Sequence, residues 1–152
     1  MIFGGPVQTW ELVARERVRD TLAAYTHAGD RGRIGELAAT FTEDGVLEIR
    51  GGGTHLGRDA IAEMLSDAVE RGSAPGHQGR PGVIRHFVAN LRFEEITPHR
   101  ARTSAYFLAM NAHGPDHWGR YRDTLVPVGD RWLFERRLVG VDGRAPDSVM
   151  IP

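Results

Sequence analysis

The segment 83–96, VIRHFVANLRFEEI, alternates in the way a strand does. Ile84, His86, Val88 and Asn90 fall on one face, and Arg85, Phe87, Ala89 and Leu91 on the other. His86 therefore sits in an otherwise apolar row. Three further segments, 100–111, 116–127 and 131–141, also read as strands, with reversals at Pro98-His99, Gly114-Pro115 and Gly129-Asp130. Their short connections predict antiparallel hairpins.

The first half of the chain follows the helical period instead. Trp10, Val13, Ala14, Val18, Thr21, Leu22 and Tyr25 recur at three- and four-residue steps. They predict a helix capped by Thr9, running to about Ala28 and stopped by Gly29. Asp30 would follow the stop. A second helix is expected near 34–41, a turn at Asp44-Gly45, a strand over 46–50 and a short return over 54–56. Ile61, Met64, Leu65 and Ala68 mark a third helix over 57–70. The glycine- and proline-rich stretch 71–82 has no period and reads as a loop at a cavity mouth. Helices first and antiparallel strands after them predict an α+β fold, with a curved sheet around the helices and an internal pocket.

Composition narrows the function classes. With 152 residues, the chain fits one domain over 1–152. A net charge of −1 without a basic run argues against nucleic acid and against an anionic membrane surface. No apolar run is long enough to span a bilayer. The N-terminus lacks the layout of a signal peptide. Cysteine is absent, which removes disulfides and thiolate chemistry and fits a cytoplasmic protein.

The candidate chemistry centres on His86. Tyr25 and Asp30 lie at the end of the first helix, which can pack on the strand that carries His86. A neutral imidazole suits proton abstraction near pH 7, provided that a carboxylate fixes its other nitrogen. Asp30 is either that carboxylate or a cap of the second helix. Tyr25 is either a hydrogen-bond donor or a core aromatic. Asn90 shares the His86 face and reads as a ligand contact or a strand-end structural residue. Leu47, Ile49, Val88, Phe107 and Trp118 are expected to line a mostly apolar cavity. His113 and His117 stand four apart, but the Gly-Pro between them precludes one helix face, and no metal site is expected. Gly51-Gly52-Gly53 reads as a turn and not as a phosphate loop. No motif points to a hydrolase or to a cofactor.

Several stretches together carry a resemblance: YTHAGD at 25–30, FTEDG at 41–45, GTHLG at 53–57, RHFVAN at 85–90, GRY at 119–121 and WLFERR at 132–137. In this order and spacing the chain resembles the SnoaL-like branch of the NTF2-like superfamily. That group includes scytalone dehydratase, bile acid 7α-dehydratase and hexachlorocyclohexane dehydrochlorinase. The resemblance implies that Asp30 orients His86, with Tyr25, Tyr121 and Arg137 at further pocket positions. Simple alternation from Trp132 and Phe134 favours Arg136 as the inward arginine; the resemblance favours Arg137. The dehydrochlorinase lysine at the Tyr25 position is missing, which disfavours dechlorination. A base histidine points to elimination or isomerisation more than to polyketide cyclisation. The expected protein is a cofactor-independent dehydratase or isomerase and a homodimer or homotrimer. The rival is a non-catalytic assembly module like a ring-hydroxylating dioxygenase small subunit, in which Asp30 and His86 need not meet.

Overall fold

The computed structural model describes residues 5–72 and 83–148. Helix α1 spans Thr9–Asp30 and α2 Ile34–Ala38. Strands β1 (Phe41–Ile49) and β2 (Gly53–Leu56) precede helix α3 (Gly57–Gly72). Strands β3 (Arg85–Thr97), β4 (Arg100–Asn111), β5 (Gly114–Val128) and β6 (Arg131–Arg144) complete one six-stranded sheet. Its order is β2-β1-β6-β5-β4-β3. The pairs are antiparallel except for β1 and β6, which run parallel. The sheet curves around the helices. Apart from Arg71 and Gly72, which end α3, the 71–82 loop and its expected place at a cavity mouth lie outside the described residues. Among the described residues no helix is long and apolar enough to cross a membrane.

Helix α1 departs from the expected bounds at both ends. Gln8, not Thr9, takes the N-cap position, without a side-chain cap bond. Trp10 and Val13 remain exposed, so the buried stripe begins at Ala14. The helix passes through Gly29 and stops at Gly32, whose φ of 68° is the left-handed geometry of a C-terminal glycine. Gly29 answers to packing instead: a Cβ there would lie 3.2 Å from Leu37 of α2. Asp30 is thus the last residue of α1. The cap of α2 is Arg33.

Phe41 and Gly45, expected in a helix and a turn, both belong to β1. Gly45 is pressed between Phe41 and the Phe134 carbonyl, where a Cβ would stand 2.9 Å and 3.0 Å from them. Beneath α1, Val18, Leu22, Leu37, Phe41, Leu47, Ile61, Leu125 and Phe134 form the packed core.

Four irregularities decide which side chains face inward. Asn90 has φ 55°, and the β3–β4 register shifts between Ala89 and Arg92. The alternation flips there: Leu91 turns in, and Asn90 is exposed and off the His86 face. In β6, Arg136 pairs with Thr124 and Phe134 with Leu125, leaving Glu135 as an extra residue. That bulge puts Arg137 inside and Arg136 outside, where it pairs with Glu48. A third shift, between Ala109 and Met110 of β4, leaves Asp116 as the extra residue of β5 beside His117, and both are buried. A fourth, between Trp118 and Gly119, leaves Asp142 as the extra residue of β6, while β5 keeps its alternation and Trp118 faces outward.

Candidate active site

The last turn of α1 meets the first residues of β3, and there Asp30 holds His86. Asp30 Oδ1 stands 2.6 Å from His86 Nδ1, and Oδ2 accepts the His86 backbone N–H at 3.0 Å. The carboxylate is largely enclosed and the imidazole partly open, at 9% and 21% side-chain exposure. A two-point grip fixes the ring against the strand and assigns Nδ1 as the protonated nitrogen. Nε2 is left with its lone pair, without a partner among the described residues.

A cleft of about 360 Å³ runs along the same seam, lined by Arg19, Leu22, Ala23 and Thr26 of α1 and by Val88 and Leu91 of β3. The pair stands on the same seam, Asp30 one helical turn beyond Thr26 and His86 two residues before Val88 on the same strand face.

A second imidazole faces the first. His86 and His117 are both cross-strand neighbours of Ala109, and their ring centroids are 5.8 Å apart. The small Ala109 side chain leaves the space that they share. His117 Nδ1 stands 2.7 Å from Asp116 Oδ2, which also accepts the Ser148 hydroxyl at 2.7 Å. Asn111 donates to the other oxygen at 3.1 Å. Burial pushes the His117 pKa below its usual value near 6.5, against the pull of Asp116, so the ring stays neutral. Sequence reading treated His117 only as a metal candidate. The signal that finds it is the period-two register from Tyr121, which places 117, 119, 121 and 123 inward. Among the described residues no group of ligands suits a metal ion.

Phe107 separates this pair from a second layer. Its ring lies 6.4 Å from His86 and 5.9 Å from His117 and stacks on Tyr121 at 4.6 Å. Arg137 lies below, fully buried, with two bonds of 2.8 Å to Asp123. Its guanidinium sits 3.9 Å from the Tyr121 ring centre and 4.2 Å from those of Tyr25 and Phe134. Such a caged, bidentate pair keeps its charge. Burial raises the pKa of both tyrosines, against the pull of Arg137, and keeps them as phenols. The charge of Asp30 adds to the rise at Tyr121, which places that ring within the field of the dyad. Burial also pushes the Asp123 carboxyl up, with Arg137 opposing it. Arg137 Nη1 and Thr103 Oγ1 have no partner inside this layer.

The expected site residues thus divide. Asp30 and His86 meet at the α1–β3 seam, and Val88, two residues on, lines the cleft. Phe107, Tyr121, Tyr25 and Arg137 lie behind it, and Arg137 is closed to the cleft. Leu47 belongs to the packed core, with Ile49 packed against it. Trp118 and Asn90 correct the expectation: both are exposed, Trp118 because it alternates with the inward His117 and Gly119, and Asn90 because the β3–β4 irregularity turns it to the outer side.

The model of the SnoaL-like domain matches residues 10–138. The chain belongs to the SnoaL-like family. This SnoaL-like chain is similar to Rv3472, a protein of unknown function from Mycobacterium tuberculosis. The TM-score is 0.76 at 24% identity, over 97% of this chain and 82% of the other. A protein from Novosphingobium aromaticivorans provisionally named a scytalone dehydratase is 25% identical. It has a TM-score of 0.72 over 90% of this chain and 89% of its own. A Catenulispora acidiphila protein in complex with S-DNPA is 29% identical. Its TM-score is 0.69 over 84% of this chain and 92% of its own. No curated protein sequence matches the chain.

Proposed function

We propose that this SnoaL-like protein is a cofactor-independent dehydratase or isomerase of small, mostly apolar ring compounds, in which His86 moves the proton. The observation that carries the reading is the two-point grip of Asp30 on His86, with 2.6 Å between ring and carboxylate. His86 Nε2 takes a proton from the carbon next to a carbonyl, and the electron pair passes into the enolate. Asp30 stabilises the imidazolium that forms. In a dehydration, the enolate re-forms the carbonyl and expels the hydroxyl one carbon further on, while His86 returns its proton to that oxygen and water leaves. In an isomerisation the proton returns to a different carbon. Neutral His117 accepts a hydrogen bond from the substrate hydroxyl and so aims it at His86.

Tyr121 and Tyr25, kept protonated by burial, stand behind Phe107 as phenols and do not reach the enolate oxygen in this arrangement. Arg137 steadies both rings and touches no substrate in this arrangement. The small size and apolar lining of the cleft support a ring substrate. Likeness to a scytalone dehydratase candidate and to a ligand-bound relative supports the same class. The absence of cysteine accords with work in the cytoplasm. The rival assembly-module reading requires no such paired side chains.

The test is a panel of β-hydroxy ketones of one to three fused rings, followed by the absorbance of the enone formed. Turnover by the wild type should fall about 10²–10⁴-fold in His86→Ala and stay unchanged in Arg136→Ala. Equal turnover in His86→Ala and the wild type would remove His86 from the chemistry.

A further inference from the structure

Positions 19, 22, 23, 26 and 30 share one stripe of α1. The eleven steps from Arg19 to Asp30 make three turns and roughly 20°, which sets the two residues roughly 16 Å apart along the helix axis. Asp30, with His86, stands at one end of the stripe. Arg19 stands at the other, and it is the one charged residue lining the cleft of about 360 Å³. Between them the lining is Leu22, Ala23 and Thr26 on the helix and Val88 and Leu91 on the strand. Leu91 reaches the cleft because the Asn90 irregularity turns β3 over.

The Arg19 guanidinium is held loosely and has donors left over. Its carbon lies 5.5 Å from the centre of the Phe93 ring, which follows Leu91 on the inner side of β3. Nη1 donates to Glu16 at 2.9 Å, within an open pair whose side chains are 46% and 75% exposed. Such a pair is weak and exchanges its partner readily. Nε and Nη2 have no hydrogen-bond partner among the described residues. Arg15, over the same Phe93 ring at 4.5 Å, gives those two nitrogens to Glu11 at 2.9 Å and 2.6 Å. Arg137 gives the same two to Asp123. The edge that grips a carboxylate elsewhere in the chain is therefore open on Arg19, and a carboxylate fits it with two parallel bonds.

We infer that the cleft takes an apolar ring compound carrying one carboxylate. The rings lie against Leu22, Ala23, Val88 and Leu91, and the carboxylate sits on the Nε–Nη2 edge of Arg19. The opposite orientation would bring the anion towards the like charge of Asp30. That this ligand is also the substrate rests on the reading of His86 as the base; the acid end then marks the part of the molecule furthest from the reacting carbons. Binding at Arg19 does not depend on that reading.

The test is a titration with 2-naphthoate and with its neutral counterpart of the same shape, 2-naphthamide, followed by naphthalene fluorescence. The wild type should bind the acid about fivefold more tightly than the amide, and the preference should shrink at high salt. Arg19→Gln should bind both probes alike, with the wild-type affinity for the amide. Ala23→Trp, which fills the cleft from an exposed helix position, should weaken both. The inference is overturned by a wild type that binds neither probe or both equally, by an Arg19→Gln variant that keeps the preference, or by an Ala23→Trp variant that binds as the wild type does. Neither probe has a hydroxyl to lose or a removable proton on the carbon next to its carbonyl. A failed preference therefore leaves the role of His86 untouched, and a failed turnover assay leaves this site standing.

Discussion

Asp30 binds His86 through both carboxylate oxygens, one on the ring and one on the backbone of the same residue. The contact spans 56 residues of sequence and joins the end of α1 to the edge strand of the sheet. One carboxylate therefore sets the tautomer of the imidazole and the seat of its strand.

Replacing Asp30 with Asn should leave the fold intact and cost about 10²–10⁴-fold in kcat. An amide can present its N–H to Nδ1 and favour the other tautomer. The loss should fall on kcat more than on KM, and ¹⁵N NMR of the His86 ring should show the proton moved from Nδ1.

The Asp123–Arg137 pair is enclosed on all sides, with zero side-chain exposure for both. Removing one partner strands the other charge. Asp123→Asn or Arg137→Met should each cost about 3–5 kcal/mol in urea unfolding, a large share of the roughly 5–15 kcal/mol that holds a domain together. Removing the exposed Arg136–Glu48 pair should cost no more than about 1 kcal/mol.

His117 gives stability a pH dependence. Its folded pKa lies below the unfolded value near 6.5, because burial disfavours the charged ring. As pH falls through about 6.5 the unfolded chain takes up the proton first, so stability drops until the pH passes below the folded pKa. The Tm loss between neutral and mildly acidic pH should be smaller in His117→Asn than in the wild type.

Gly119 and Gly35 should respond oppositely to alanine. A Cβ at Gly119 would meet the Gly140 carbonyl oxygen at 1.9 Å, whereas at Gly35 it enters open space. Gly119→Ala should cost about 3 kcal/mol or more. Gly35→Ala, inside α2, should gain roughly 0.5–1 kcal/mol. Thermal unfolding of the two variants checks both.

The strand that bears His86 was legible because its alternation holds through Ala89. Beyond it the pattern fails for a physical reason: Asn90 takes a left-handed conformation, and one misplaced residue moves all later side chains to the other face. The choice between Arg136 and Arg137 turned on the same effect, since simple alternation has no means of placing the extra Glu135. Gly29 misled because a glycine seated against Leu37 and a glycine that ends a helix look alike in sequence. The meeting of His117 with His86 depends on the short Ala109 between them, a relation between three strands that no single segment reveals.

The central claim is that His86 removes a carbon-bound proton. Its most direct measurement is NMR of 1-tetralone in D₂O at neutral pH, following exchange of the protons next to the carbonyl. The wild-type protein should speed that exchange, Asp30→Asn should do so weakly, and His86→Ala should leave only the buffer rate. Exchange that His86→Ala supports as fast as the wild type, or that the wild type does not accelerate at all, would contradict the account.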